Sequence, residues 1–256
     1  GGYAGFGEVD PDARDVVAYE TIVSGDLNGD DVDVGNPADL QYEPSRAENS
    51  YHVVVGTGTD ATAVLDGFTV TGGNADYSIY SSRIAKGAGM YNDSGSPTVT
   101  NCTFSGNHAG GSWGVERGGG MYNIYSNPTL TNCTFSENSA PLGAGIYNFR
   151  SNPTLTNCTF SRNLAGVGTG LYNLEGSPIL TNCTFRGNLA ETRGGGIAHW
   201  DGNPTLINCT FIGNLAGEEG GGMLSEVDDH ETHPILINCT FSGNSADRGG
   251  GMYNGR

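Results

Sequence analysis

Hydrophobic and polar positions repeat along most of this chain with a period close to 25 residues. The tetrapeptide Asn-Cys-Thr-Phe occurs six times, and its cysteines fall at positions 102, 133, 158, 183, 209 and 239. Successive cysteines are therefore 31, 25, 25, 26 and 30 residues apart. A short unit repeated at a nearly fixed interval, with occasional insertions, is typical of a solenoid in which each turn packs only on its neighbours.

Each repeat contains two short segments that alternate in polarity as strands do. One reads Pro-x-Leu-x-Asn-Cys-Thr-Phe-x-x-Asn, as in residues 153–163, and the other reads Gly-x-Gly-Met-Tyr-Asn, as in residues 118–123. Both are too short and too rich in glycine, threonine and asparagine for helices. We predict an all-β right-handed parallel β-helix with three parallel sheets and seven or eight turns, or rungs, of about 25 residues.

Three positions of the repeat are predicted to fill the interior because they stay apolar from rung to rung. They are the aliphatic residue before the tetrapeptide, its cysteine and its phenylalanine, as in Leu155, Cys158 and Phe160. Strict alternation fails between the aliphatic residue and the cysteine, so the intervening asparagine must lie at a bend, where it tolerates left-handed backbone. Glycine takes this place at Gly67. Val23-Ser24-Gly25 is a candidate for a similar corner in an earlier rung.

Charge separates the chain into two regions. The whole chain carries a net charge of −17, with 28 acidic and 11 basic residues. Residues 1–50 hold 12 acidic and 2 basic residues, a net of −10, and residues 51–256 account for the remaining −7. We therefore expect an acidic N-terminal segment over 1–50 that leads into the β-helix repeats of 51–256. The acidity excludes a nucleic-acid partner, and the chain has no apolar run long enough to span a membrane.

Two further spacings carry a resemblance to a known family. Phe-x-x-Asn follows each cysteine, as in Phe160–Asn163, and Gly-Gly followed by two larger residues recurs, as in Gly119–Tyr122. Over about residues 60–256 this pairing resembles the repeats of the polymorphic outer membrane proteins and, more broadly, pectate-lyase-like β-helix repeats. The resemblance implies surface display and adhesion.

A calcium site is predicted near the N-terminus. The segment Asp26-Leu-Asn28-Gly-Asp30-Asp31-Val32-Asp33 resembles the alternating ligand spacing of an EF-hand or dockerin loop. Asp26, Asn28 and Asp30 would supply side-chain oxygens, Val32 a carbonyl and Asp39 a late carboxylate. Asp31 stands where such loops carry glycine, and the alternative is a solvated acidic turn.

The six cysteines and a row of tyrosines are two further candidates. We expect the cysteines to be free, buried thiols, because stacked side chains point the same way and stay too far apart for the preferred disulfide geometry. Tyrosine recurs at one rung position, and we predict that this position faces outward. The row forms either a contact surface for glycans or another protein, or a self-stacked ladder that shields the sheet. Its members are Tyr91, Tyr122, Tyr147, Tyr172 and Tyr253.

Three lengthened rungs remain, at residues 76–86, 110–117 and 226–233. The last contains Asp228 and Asp229 beside histidines, and enzymes of the resembled fold use carboxylates of this kind on polysaccharides. The regular rungs instead expose threonine, serine, asparagine and glycine, with no repeated aspartate pair beside a basic residue.

We predict a secreted, non-enzymatic structural or adhesive solenoid of a bacterial surface or matrix. Its expected partners are surface glycans, host or cell-surface proteins, and other copies of itself stacked end to end into filaments, because a solenoid end exposes unpaired strand edges. The alternatives are a polysaccharide-active β-helix enzyme and a passive glycan-binding module.

Overall fold

The computed structural model describes residues 1–4, 10, 12–16, 18–76, 85–110, 116–226 and 233–255. Its strands form four sheets of eight, eight, seven and four strands. Within each sheet, a strand pairs in parallel with the equivalent strand of the next rung, as when Phe135 pairs with Phe160. The predicted fold class, an all-β parallel solenoid, is confirmed.

We name the sheets after a residue that marks each of them. The threonine sheet consists of Val64–Asp66, Thr98–Thr100, Thr129–Thr131, Thr154–Thr156, Ile179–Thr181, Thr205–Ile207 and Ile235–Ile237. The phenylalanine sheet consists of Ile22–Ser24, Thr69–Thr71, Thr103–Ser105, Thr134–Ser136, Thr159–Ser161, Thr184–Arg186, Thr210–Ile212 and Thr240–Ser242. The alanine sheet consists of Ser139–Leu142, Leu164–Val167, Leu189–Arg193 and Leu215–Ala216. The tyrosine sheet consists of Val54–Val55, Met90–Asp93, Met121–Ile124, Ile146–Phe149, Leu171–Leu174, Ile197–Trp200, Met223–Glu226 and Met252–Asn254.

The interior is filled by columns of identical side chains. Leu155, Cys158 and Phe160 are fully buried, as predicted, and so are most of their equivalents in other rungs. The six phenylalanine rings from Phe104 to Phe241 stack with centroids 4.5–5.1 Å apart and planes within 8° of parallel. Because one rung cannot slip without breaking every column, the side chains fix the register of the whole solenoid.

The predicted asparagine corner is confirmed. All six asparagines before the cysteines have a φ of 52–55°, and Gly67 has a φ of 75° at the same place. Each corner amide from Asn132 onward also donates to the side-chain oxygen of the preceding corner, at 2.7–3.2 Å. Asn101 donates to Asp66 instead, at 2.8 Å. The corner asparagines therefore both tolerate the bend and link the rungs.

A second, buried ladder of asparagines follows the phenylalanine sheet. Asn138 lies inside the protein, and its Nδ2 donates to the carbonyl of Phe104 at 2.9 Å and to Oδ1 of Asn163 at 3.1 Å. The backbone amide of Asn138 donates to the same Oδ1 atom, also at 3.1 Å. Equivalent bonds join the asparagines from Asn107 to Asn244. A buried polar group is tolerated only when it is hydrogen-bonded, and this ladder meets that requirement in each rung.

Three details differ from the prediction. The alanine sheet is a fourth sheet, missed because segments such as Ser139–Leu142 contain proline or glycine and have a small alanine as their buried apolar residue. The regular part contains about five turns, slightly fewer than predicted, and less regular strands extend the sheets toward the N-terminus. Val23 lies within the strand Ile22–Ser24, opposite Val70, and not at a corner.

Helical structure among the described residues is confined to two short 3₁₀ helices, Pro37–Tyr42 and Pro44–Arg46. Asn36 and Glu43 cap their first turns by accepting from Ala38 and Ser45. No helix in this part of the chain has the length and apolar character that a membrane span requires.

Candidate functional site

The acidic turn near the N-terminus is organised around Asp26. One carboxylate oxygen of Asp26 accepts from the backbone amide of Gly29 at 2.6 Å and from that of Asp30 at 3.3 Å. Its other oxygen accepts from the amide of Asp31 at 3.2 Å. Partial desolvation opposes ionisation, but the backbone donors outweigh it and lower the pKa of Asp26. The turn thus holds a charged carboxylate in a fixed orientation.

Three carboxylates come together at this turn. Ligand oxygens of Asp26, Asp30 and Glu48 lie within 4.8 Å of one another. Carboxylate oxygens at such spacing are the donors that Ca²⁺ prefers. Asp39 does not join this group; it lies on the 3₁₀ helix Pro37–Tyr42. Two of the five predicted calcium ligands are therefore grouped, with Glu48 as a third that the sequence pattern missed.

The remaining two predicted ligands, Asn28 and Val32, are exposed on the same loop. Their part in binding an ion stays a prediction, as does the ion itself. Glu48 escaped the sequence analysis because it lies 22 residues after Asp26, outside the spacing of a loop that supplies all its ligands locally.

The acidic segment is anchored to the solenoid by Arg46. This guanidinium is 4% exposed, and its Nη2 donates to the carbonyls of Gly73 and Gly106, in two successive rungs, at 3.0 and 2.9 Å. Its Nη1 lies 3.3 Å from the carboxylate of Asp31, which also accepts from Asn49 at 2.8 Å. Desolvation lowers the pKa of Arg46 and raises that of Asp31. Arg14 and Arg46 are the only basic residues of 1–50, and this scarcity is the sequence signal that marks them as candidate anchors.

An open cavity of about 500 Å³ lies where this segment meets the phenylalanine sheet. Its lining includes Asp26, Asp31, Asp33, Arg46 and Glu137. Four carboxylates against one guanidinium make the cavity acidic, so it favours cations over anions.

The predicted exposure of the tyrosine row is wrong for three of its members. Tyr91, Tyr122 and Tyr147 are at most 5% exposed, and Tyr172 and Tyr253 are half-buried. The rings from Tyr91 to Tyr172 stack on one another with centroids 4.8–5.6 Å apart, and Leu142 and Phe149 pack against them. Sequence alternation places these rings on the outer side of the solenoid but cannot show that neighbouring side chains cover them. The structure thus favours the self-stacked ladder, and contact of this row with glycans stays a prediction.

The column continues where the sequence pattern breaks. Ala198 takes the tyrosine position in the next rung, and the ring of Trp200 stacks on Tyr172 instead, at 4.7 Å. The indole Nε1 of Trp200 donates to Glu226 at 3.1 Å, and Arg193 lies 3.2 Å from the same carboxylate. Trp200 and Glu226 are therefore tied into the surface of the solenoid.

A second corner, between the tyrosine and threonine sheets, carries a different residue in each rung. Its residues all have a φ of 50–55°; they are Ser94, Tyr125, Arg150, Glu175 and Asp201. Left-handed backbone costs roughly 1–2 kcal/mol for residues other than glycine, asparagine and aspartate. The asparagine corner avoids this cost in every rung and this corner does not. Glu137 and Arg162 on another corner have the same conformation. The exposed aromatic and charged groups at this corner, together with the strain, therefore mark it as a candidate functional position.

The middle of this corner, residues 125, 149, 150 and 175, forms an exposed patch that we call the contact corner. Tyr125 is 51% exposed, and its ring meets the ring of Phe149 edge-on at 5.9 Å. The guanidinium of Arg150 lies over Phe149 at 5.0 Å and is paired with Glu175 at 2.7 Å. It also donates to the hydroxyl of Tyr125 at 3.4 Å. An exposed aromatic ring beside paired hydrogen-bonding groups suits the apolar faces and hydroxyls of a sugar.

The cysteines are free thiols. Each sulfur donates to the carbonyl two residues earlier, at 3.1–3.6 Å. Burial raises the pKa of Cys102, so this thiol stays protonated near neutral pH. Asp228, Asp229 and most of the three lengthened rungs lie outside the described residues.

Comparison with known families points to the same architecture. The family model for the right-handed β-helix region matches residues 47–211, more than half of the 256-residue chain. No curated protein matches the chain.

Proposed function

We propose that this chain, which belongs to the family of right-handed β-helix regions, is a non-enzymatic structural and adhesive solenoid that works outside a bacterial cell. In this proposal the stacked core supplies a rigid rod, and the contact corner holds glycans of a cell surface or matrix. End-to-end association of copies, with or without calcium, stays a prediction.

One observation carries the proposal: the contact corner places different exposed side chains on left-handed backbone in successive rungs. The asparagine corner, by contrast, has one residue type in all six rungs and forms a ladder of side-chain hydrogen bonds. Tyr125, Arg150 and Glu175 differ from one another at one exposed position with left-handed backbone. Asparagine or glycine would serve the fold there at lower cost. The exposed aromatic ring beside the Arg150–Glu175 pair therefore supports recognition of a ligand.

The net charge of the chain narrows the class of ligand. A protein with a net charge of −17 repels anionic polysaccharides, so we expect the ligand to be a neutral glycan. Mannan and chitin oligosaccharides are suitable probes, because both present uncharged rings and hydroxyls.

Binding of these probes to asparagine variants tests the proposal. Asparagine suits left-handed backbone, so Tyr125→Asn and Arg150→Asn are expected to keep the fold while removing the contact groups. We expect each variant to weaken binding at least about tenfold, or 1.4 kcal/mol, by isothermal titration calorimetry.

Arg162→Asn is the matched control. Arg162 has a φ of 53° and a side chain that is 71% exposed, and it is paired with Glu137 on another corner of the solenoid. This control should bind like the wild type. If all three substitutions weaken glycan binding equally, or if the wild type binds neither probe, the contact corner is not the glycan-binding site.

A further inference from the structure

The outer face of the threonine sheet is a regular array of β-branched side chains. Each of its six strands from Thr98–Thr100 to Ile235–Ile237 presents its first and third residues outward, and the middle residue points into the core. Eight of these twelve outward residues are threonine and four are isoleucine: Thr98, Thr100, Thr129, Thr131, Thr154, Thr156, Ile179, Thr181, Thr205, Ile207, Ile235 and Ile237.

The array is a two-dimensional grid with fixed spacings. Strands pair in register, so outward residues repeat about every 4.8 Å along the solenoid and about every 6.6 Å within a strand. The corner asparagines tie one edge of the face together. At the other edge, Asn152 donates its backbone amide to Oδ1 of Asn127 at 2.7 Å, and Ser177 donates to Asn152 at 2.6 Å. Both edges are thus pinned, which keeps the grid rigid.

Over these six strands the face carries no acidic or basic side chain, although the protein is strongly acidic; the first strand of the sheet, Val64–Asp66, lies outside this stretch, and its Asp66 is paired with Arg14. The six-residue segments that contain the strands and their two edges include no aspartate, glutamate, lysine or arginine; they are residues 96–101, 127–132, 152–157, 177–182, 203–208 and 233–238. In a chain of net charge −17, six successive rungs without a charged group form a distinct surface.

The hydroxyls at the centre of the face are available to solvent. Thr129 and Thr154 are exposed, and Thr131 and Thr156 are half-buried. No hydrogen bond found among the described residues uses these four hydroxyls. By contrast, Thr98 at the N-terminal end of the face donates to the carbonyl of Ala61 at 2.9 Å.

We propose that the outer face of the threonine sheet binds the surface of ice. Oxygen atoms on a face of ice repeat in two directions, as the outward residues of this grid do, so a row of hydroxyls can be placed along a row of lattice oxygens. Each hydroxyl both donates and accepts, as a water molecule does. The methyl groups fill the spaces between lattice oxygens, and the rigid grid loses little conformational entropy on binding.

This activity is separate from glycan adhesion, since the two surfaces share no residue. An experiment can therefore refute the proposal of ice binding or that of glycan adhesion while the other stands.

Thermal hysteresis, the gap between the melting and freezing points of a seed crystal in protein solution, tests the proposal. The wild type should produce a gap and shape the crystal into facets. Thr156→Tyr places a ring in the centre of the grid and should abolish most of the gap. Ile179→Thr adds a hydroxyl at a grid position and should keep or widen it.

The matched control is Thr159→Tyr in the same rung. Thr159 is a half-buried threonine on the phenylalanine sheet, beyond the asparagine corner, so its substitution should leave the gap unchanged. Circular dichroism melts of each variant show whether its fold is retained. A wild type without thermal hysteresis, or equal losses from Thr156→Tyr and Thr159→Tyr in folded proteins, would overturn the proposal.

Discussion

At the scale of single residues, backbone conformation separates structural positions from candidate functional ones. The asparagine corner was predictable because glycine replaces asparagine there at Gly67, and both residues adopt left-handed backbone at small cost. The same rule gave no warning of the second corner, where Tyr125 and Arg150 adopt this conformation despite the cost. The backbone preferences of single residues therefore predict a left-handed corner where the residue favours that conformation. They do not predict one where neighbouring contacts impose it.

Burial was predictable for side chains that point into the core of the solenoid and not for those on its outer side. The alternation of Leu155, Cys158 and Phe160 indicated which side chains point inward. For Tyr147 it indicated only that the ring points away from the core. The ring is fully buried because Leu142 and Phe149 cover it, and that contact depends on neighbouring segments.

His108 makes stability depend on pH. Burial, with the nearby charge of Arg46, lowers the pKa of His108 to about 4, from 6.5 in an unfolded chain. Between these values the unfolded state binds the extra proton, so stability is full above about pH 6.5 and falls as the pH drops toward 4. The loss is on the order of 3 kcal/mol.

Urea unfolding of His108→Gln at pH 7 and at pH 4.5 measures this loss. Between these pH values the variant should lose less stability than the wild type does. His233→Gln, at an exposed position, should follow the wild type. If His108→Gln loses as much stability as the wild type, the buried histidine does not cause the dependence.

At the scale of elements, the anchored N-terminal segment shows what tertiary contacts add to a motif. The loop pattern located Asp26 and Asp30, because their spacing is local. Glu48 reaches them only because Arg46 holds the end of the segment against two rungs of the solenoid. Asp39, which the pattern favoured, lies instead on a 3₁₀ helix apart from the group.

Calcium should therefore stabilise the segment through Glu48 and not through Asp39. We expect millimolar Ca²⁺ to raise the melting temperature of the wild type. A Ca²⁺ concentration 100 times the dissociation constant would add about 2.7 kcal/mol to the free energy of unfolding. Glu48→Gln should reduce this gain, and Asp39→Asn should leave it unchanged. Differential scanning calorimetry with Ca²⁺ and with EDTA checks this, and the reverse ranking of the two variants would restore the ligand set expected from the sequence pattern.

At the scale of the whole molecule, the repeat determined the fold. Six copies of one tetrapeptide at nearly equal spacing admit few architectures other than stacked rungs, so the solenoid was predictable without any long-range information. The alanine sheet was not, because strands such as Leu215–Ala216 are too short to show a pattern. The threonine grid follows from the same stacking, since one outward threonine per repeat becomes a row once the rungs are in register.

In the proposed function, this solenoid holds neutral glycans without cleaving them. The most direct test incubates the wild type with mannan and with chitin oligosaccharides, measures retention, and analyses the recovered sugars by mass spectrometry. We expect retention that depends on Tyr125 and Arg150, with every sugar recovered at its original length. Shortened sugars or unsaturated chain ends would contradict it and would direct attention to the carboxylates of the lengthened rung at 226–233.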